Sequence, residues 1–262
     1  MLGKLIKYDF RFGARTFLGL IGVLLALGAV APLLGDDMIL GISASVMLIV
    51  VAVVSIILVA QAFHKSLFAQ QGYLTRTLPV TSSALLGSKL ITAMVWFNAI
   101  CLSVVLYVML TMRSVEPIQS IAERPWDFVL LGVSLETQGL MLILTLYTLL
   151  TMGSVSVNGR RLGVVGYIVG AVIPIGLSAL LSNVVLPVLT PNRYLMISEQ
   201  GVSFVPDATG QYVTVIGGGA DVTVTMISNA LVDWISLAAN LIVAAACFFT
   251  AVWLLKRKSN LA

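Results

Sequence analysis

Apolar side chains run on along this chain for about twenty residues at a time, and polar residues are confined to the short stretches between. The runs cover Thr16–Leu34, Ile39–Phe63, Leu85–Met112, Phe128–Met152, Leu162–Leu189 and Leu231–Leu255. Each meets the roughly 20-residue length needed to cross a bilayer's hydrocarbon. Lipid offers no partner to a bare backbone N–H or C=O, so these runs are expected to be helices rather than open sheet. The pattern predicts an all-α integral membrane protein, one transmembrane domain over residues 1–262 with six spanning helices.

Composition sharpens this. The chain is 59% hydrophobic and 10% charged, with mean hydropathy +1.06. A soluble domain carries about 25% charged residues, so the solvent here is lipid. The net charge of +4 does not point to a nucleic-acid partner, because its distribution follows membrane topology. With both termini cytoplasmic, twelve of the fifteen Lys and Arg fall inside; only Arg113, Arg124 and Arg193 fall outside. Excess Lys and Arg on the cytoplasmic side is the rule for membrane proteins. Cys101 and Cys247 lie within apolar runs and read as small buried hydrophobes.

The start, residues 1–15, reads as an interfacial helix. Winding it places Lys4, Lys7, Arg11 and Arg15 on one side, with Leu2, Leu5, Ile6, Phe10 and Phe17 on the other. Such a helix is expected to lie on an anionic leaflet and lead into the first span. No small-residue cleavage site follows, so it is not read as a signal peptide. Asp9 falls on the apolar face, where it either snorkels or pairs with Arg11 or a loop.

Outside the membrane two segments exceed a tight turn. Arg113–Asp127 is a connector with Pro117 and Pro125. Residues 186–229 alternate at Tyr212–Ile216, break at Gly217–Asp221 and alternate again at Val222–Met226, which reads as a β-hairpin, with Val202–Val205 a candidate third strand. Leu106–Met112 and Leu146–Met152 nearly repeat each other (LYVMLTM, LYTLLTM) and run in opposite senses by this topology; inverted repeats occur in transporters, but so narrow an alphabet more often produces such echoes by chance.

Residues 63–84 form a cytoplasmic element of mixed character. Phe63, Lys65 and Phe68 precede Gly72, a turn residue, and Pro79 stops any helix. Ser82 and Ser83 offer capping oxygens to the next helix, expected from Leu85. Gly72-Tyr73-Leu74, Thr77-Leu78-Pro79-Val80 and Ser88-Lys89-Leu90, together with Lys4-Leu5-Ile6-Lys7-Tyr8-Asp9-Phe10 at the start, resemble the motifs of bacterial ABC-2-type permeases, the membrane subunits of ABC exporters. Members of that family often carry an acid just before Gly-Tyr-Leu, where this chain has Gln70 and Gln71.

The resemblance implies a permease subunit of an ATP-driven exporter in the bacterial plasma membrane. Its partners would be a separate ATPase dimer, which holds the ATP and Mg, and a second permease copy, identical or related. Tyr73, Leu74 and Leu78 would plug into the ATPase, with Lys65 and Arg76 as rim charges and Phe63, Phe68, Gly72 and Pro79 shaping the element. In that picture Lys4, Lys7, Asp9 and Arg11 of the N-terminal helix also lie near the ATPase, and Asp9 is a candidate hydrogen-bond partner for it. Apolar walls favour a hydrophobic or amphipathic substrate such as a peptide, drug or lipid-like molecule.

The residues themselves narrow the chemistry further. No Gly-x-x-x-x-Gly-Lys-Ser/Thr phosphate loop is present, so the chain is not expected to be an enzyme or to bind a cofactor itself. A single histidine, His64, excludes His-x-x-x-His metal sites and histidine-based triads. Polar groups inside spans are costly and mark pathway candidates or helix contacts: Gln61, Asn98, Glu136, Gln138 and Asn240, with Asp233 near the outer end of the sixth. Pro174 is expected to kink the fifth helix. The alternative to a permease is a non-transporting membrane immunity, sensor or assembly subunit.

Overall fold

A computed structural model describes residues 2–30, 37–67, 81–112, 125–154, 156–157, 160–161, 163–190, 194–198, 201–205, 213–216, 223–226 and 230–259. The apolar runs fold as helices α1 (Leu2–Val30), α2 (Asp37–Leu67), α3 (Ser82–Met112), α4 (Pro125–Ser154), α5 (Gly163–Leu180) and, at the end, α7 (Trp234–Ser259). From α5 the chain continues through a π-helical turn, Leu181–Val185, into the short α6, Leu186–Leu189. Among the described residues, six helical stretches are long and apolar enough to cross a membrane.

Their outer faces confirm what solvent they are made for. Ile49 on α2 is 66% exposed and Phe249 on α7 is 71% exposed, whereas Ser88 on α3 and Thr151 on α4 are fully buried. A soluble protein rarely exposes so much contiguous apolar surface. Inside hydrocarbon, helices gain nothing from hiding apolar faces, and they associate through close packing and polar contacts instead. Several inward hydroxyls bond to their own helices: Thr92 Oγ1 donates to Ser88 O at 2.9 Å, Ser103 Oγ to Ile100 O at 2.7 Å and Thr151 Oγ1 to Thr148 O at 3.0 Å. This is the make-up of a multi-pass membrane protein.

The chain divides into two compact units. The first comprises Met1–Pro117, Leu142–Val172 and Ala246–Ala262. In it α1 packs along α3, and α2 touches both. Small residues let α1 come close: a Cβ on Gly28 would lie 2.8 Å from the Tyr107 ring, and one on Gly13 would lie 3.2 Å from Trp96 Nε1. The residues before α5 form a two-stranded ribbon, β1 (Ser156–Val157) with β2 (Arg160–Arg161).

Residues 1–15 and the first span form one uninterrupted helix, α1, from Leu2. At 1.5 Å per residue it is about 43 Å long, beyond the roughly 30 Å hydrocarbon layer, and its stretch long and apolar enough to cross a membrane is Gly13–Val30. The cap of α3 differs from expectation. The helix opens at Ser82, and Thr81 is its cap, with Thr81 Oγ1 accepting from Ala84 N at 3.4 Å and Thr81 O from Leu85 N at 3.0 Å. Ser82 and Ser83 therefore lie within the first turn.

The second unit comprises Ile118–Met141 and Ile173–Ala245. Pro174 is buried inside α5 and supplies no N–H to Gly170 O; a change of helix type comes later, at the π-turn. There Leu186 N–H donates to Leu181 O, five residues back. Pro187 explains it: a proline ring crowds the carbonyl four residues earlier, Asn183 O, and supplies no N–H to it, so a wider turn relieves the clash.

Strands occupy part of the segment between α6 and α7. β3 (Tyr194–Ser198) lies between β4 (Gly201–Val205) and β7 (Ala230–Asp233), all antiparallel, while β5 (Val213–Ile216) pairs antiparallel with β6 (Thr223–Met226). Val202–Val205 thus pairs with Tyr194–Ile197 and is not a third strand of the 213–226 pair. The sixth span also starts later than Leu231, which is in β7. Asp233 sets the start by capping α7: Oδ1 accepts from Ser236 N at 3.0 Å and Oδ2 from Ser236 Oγ at 2.7 Å. Asp233→Ala is expected to cost about 1 kcal/mol, read as a lower unfolding midpoint in detergent beside wild type.

Candidate functional site

Four helices of the first unit converge on one buried ion pair. On α1, Asp9, Gly13 and Phe17 follow each other at four-residue spacing and so share a face. On α3, Lys89, Thr92, Ala93 and Trp96 do the same at spacings of three and four. α2 contributes Val59 and Phe63, and α4 contributes Tyr147; all of these line one small cavity.

Asp9 Oδ1 pairs with Lys89 Nζ, and both side chains are over nine-tenths buried. Asp9 Oδ2 also accepts from Ser88 Oγ at 3.4 Å, a weaker contact than the 2.9 Å bond that the same hydroxyl donates to Leu85 O. Tyr147 Oη donates to Lys89 O at 3.1 Å, which ties α4 to the backbone of α3 at the same level. The Phe63 ring stacks on Tyr147 with centroids 3.9 Å apart. One turn along, Trp96 stacks on both Phe10 and Phe17, at 4.7 and 5.0 Å.

The arrangement joins helices and has no room for cargo. Its cavity measures ≈ 40 Å3, far below the roughly 300–1,000 Å3 of sites that enclose small-molecule ligands. Nor is a buried ion pair by itself a large source of stability, because desolvation offsets the attraction. What it does supply is a fixed polar link between α1 and α3 at this level.

The sequence did not identify this pairing. Asp9 pairs neither with Arg11 nor with a loop, but with a lysine of the third span eighty residues away. The signal was present nonetheless. A lysine inside an apolar run needs a counterion, and Asp9 is the one acid assigned to the same end of the helices.

The other candidate residues fall in separate places. Phe63, expected to shape a partner-facing element, is 1% exposed and packed inward against Tyr147, so it is a core residue of the first unit. Lys7, Arg11 and Lys65 are exposed. Phe68, Gly72, Tyr73, Leu74, Arg76, Leu78 and Pro79 lie outside the described residues, as does the side chain of Lys4. Gln61 is exposed and lines a groove between α1 and α2. Asn98 is exposed and donates to Met94 O of its own helix at 3.0 Å. In the second unit Glu136 is half-buried and Gln138 exposed, while Asn240 Oδ1 accepts from Ser178 Oγ at 2.7 Å, a contact between α7 and α5 of the helix-packing kind.

Compared with known protein families, curated proteins and solved structures, the chain matches none, so its likeness to ABC-2-type permeases rests on the motif residues named above.

Proposed function

We propose that this chain is the membrane-spanning permease subunit of an ATP-driven ABC exporter. The observation that carries the reading is the Asp9–Lys89 pair. It joins the N-terminal Lys4–Phe10 segment to Ser88-Lys89-Leu90, two of the stretches on which the resemblance rests. α3 begins at Ser82, inside the 63–84 element, so a push on that element would reach Lys89 within two turns and pass to α1 through the pair and to α4 through Tyr147. Nucleotide binding on a separate ATPase dimer would supply the push, and the helices would respond as a two-state element.

In this reading both termini and residues 63–84 face the cytoplasm of a bacterial cell, residues 186–229 face outward, and a second permease copy completes the pathway. Tyr73, Leu74 and Leu78 anchor the ATPase, with Lys65 and Arg76 at the rim, because apolar anchors outweigh exposed charges at such interfaces. The substrate is hydrophobic or amphipathic.

The test is co-purification in detergent with each candidate ATPase, followed by ATP hydrolysis in lipid, with wild type beside Tyr73→Ala combined with Leu78→Ala. Removing two anchors is expected to weaken the complex by at least about tenfold and to abolish stimulation of hydrolysis. A chain that captures no ATPase, or a complex indifferent to both substitutions, would overturn the reading in favour of a non-transporting membrane subunit.

A further inference from the structure

A second pocket, ≈ 470 Å3 in volume, lies between α1 and α2. Arg11, Arg15 and Lys65 line it, all three exposed, beside the hydroxyl of Thr16 and the amide of Gln61; buried Phe17 closes its floor. Among the described residues that line it, none is acidic. Asp9, the nearest acid in sequence, borders the other cavity and is held by Lys89. The chain from Gln61 to Ser88 contains no Asp or Glu at all. Three cations in one concavity repel each other, and an anion between them removes that repulsion.

The surroundings say which anion. Next to the pocket, the outward faces of α1 and α2 turn apolar: Leu18 is 59% exposed and Ile57 47%, followed by Val23 and Val53. Cationic forks above an apolar surface suit an amphiphile whose phosphate meets the arginines while its chains lie along the helices. Guanidinium matches phosphate oxygens two at a time, and basic pockets between membrane helices take anionic headgroups. A free phosphate would use the cations and leave the apolar surface idle.

We propose that the pocket between α1 and α2 binds the phosphate of an anionic phospholipid through Arg11, Arg15 and Lys65. This rests on the membrane-spanning character of the helices and needs no ATPase, so it stands or falls separately from the function proposed above.

The test uses the full chain purified in detergent and titrated with phosphatidylglycerol or phosphatidylcholine, with bound lipid counted by native mass spectrometry. Phosphatidylglycerol is expected to saturate at one tightly held molecule per chain. Each cation near an anionic headgroup contributes about fivefold, so Arg11→Gln with Arg15→Gln and Lys65→Gln is expected to weaken binding roughly a hundredfold. Arg15→Gln alone, a milder change, is expected to weaken it about fivefold. Lys7→Gln with Arg160→Gln and Arg161→Gln removes the same charge elsewhere and is expected to leave binding intact. Equal binding of phosphatidylcholine, or equal loss in the second triple variant, would overturn the proposal. So would displacement of the lipid by excess inorganic phosphate, which would mark a site for the free anion.

Discussion

Lys89→Met is expected to destabilise the protein by about 3–5 kcal/mol, because it strands the Asp9 carboxylate in a buried site with only a 3.4 Å contact from Ser88 Oγ. Asp9→Leu should cost a similar amount by stranding the ammonium. The double variant, Asp9→Leu with Lys89→Met, replaces the pair by apolar side chains and is expected to lie within about 2 kcal/mol of wild type. Unfolding by denaturant in detergent, run as a double-mutant cycle, measures all three. Single variants as stable as wild type would remove the pair from any role in holding α1 on α3. A double variant that loses the sum of both singles would show that the two residues act independently.

Gly170→Ala is the second large expected loss. A Cβ there would stand 2.6 Å from Leu149 Cα, 3.1 Å from Leu149 N and 3.3 Å from Thr148 O. All three are backbone atoms and cannot rotate away, so α5 must back off from α4 at this point. Overpacking of this kind costs about 1–3 kcal/mol or more, which outweighs the roughly 1 kcal/mol by which alanine is the better helix former. Gly176 on the same helix is the control, since a Cβ there would meet nothing within 4 Å. Gly176→Ala is therefore expected to stabilise by up to about 1 kcal/mol. Opposite signs at two glycines six residues apart, read from unfolding midpoints in one detergent, separate close packing from helix propensity. Stabilisation by both substitutions would show that α5 does not press on α4 at Gly170.

One near-repeat in the sequence acquires a physical meaning from the fold. Leu106–Met112 and Leu146–Met152 each place a tyrosine and, four residues on, a threonine on one helix face. Tyr107, Thr111, Tyr147 and Thr151 are all buried. Each tyrosine brings a large ring to a neighbouring helix: Tyr107 lies against Gly28 and Tyr147 against Phe63. The two heptads solve the same packing problem at different places.

The six spanning helices were legible in the sequence alone, because hydrocarbon forces every backbone group to pair within its own segment and demands a long apolar run to do so. That requirement is local, and a local requirement leaves a local trace. Helix ends were less legible. Thr81 rather than Ser82 or Ser83 caps α3, and Ala230–Asp233 joins β3 instead of extending α7, since each outcome depends on which competing hydrogen bond the neighbouring backbone offers.

What only the tertiary structure decided is which polar residue meets which. Asp9 had several candidate partners within its own helix and the adjoining loops, and Lys89 looked like one more basic residue near the membrane surface. Phe63 read as part of a surface element because it borders polar residues, yet its ring is turned inward onto Tyr147. In lipid the apolar faces are interchangeable, so the sequence pattern does not say which face turns inward. Close approach at Gly13 and Gly28, and the pairing of Asp9 with Lys89, settle that choice, because steric fit and ion pairing act only between segments already brought together.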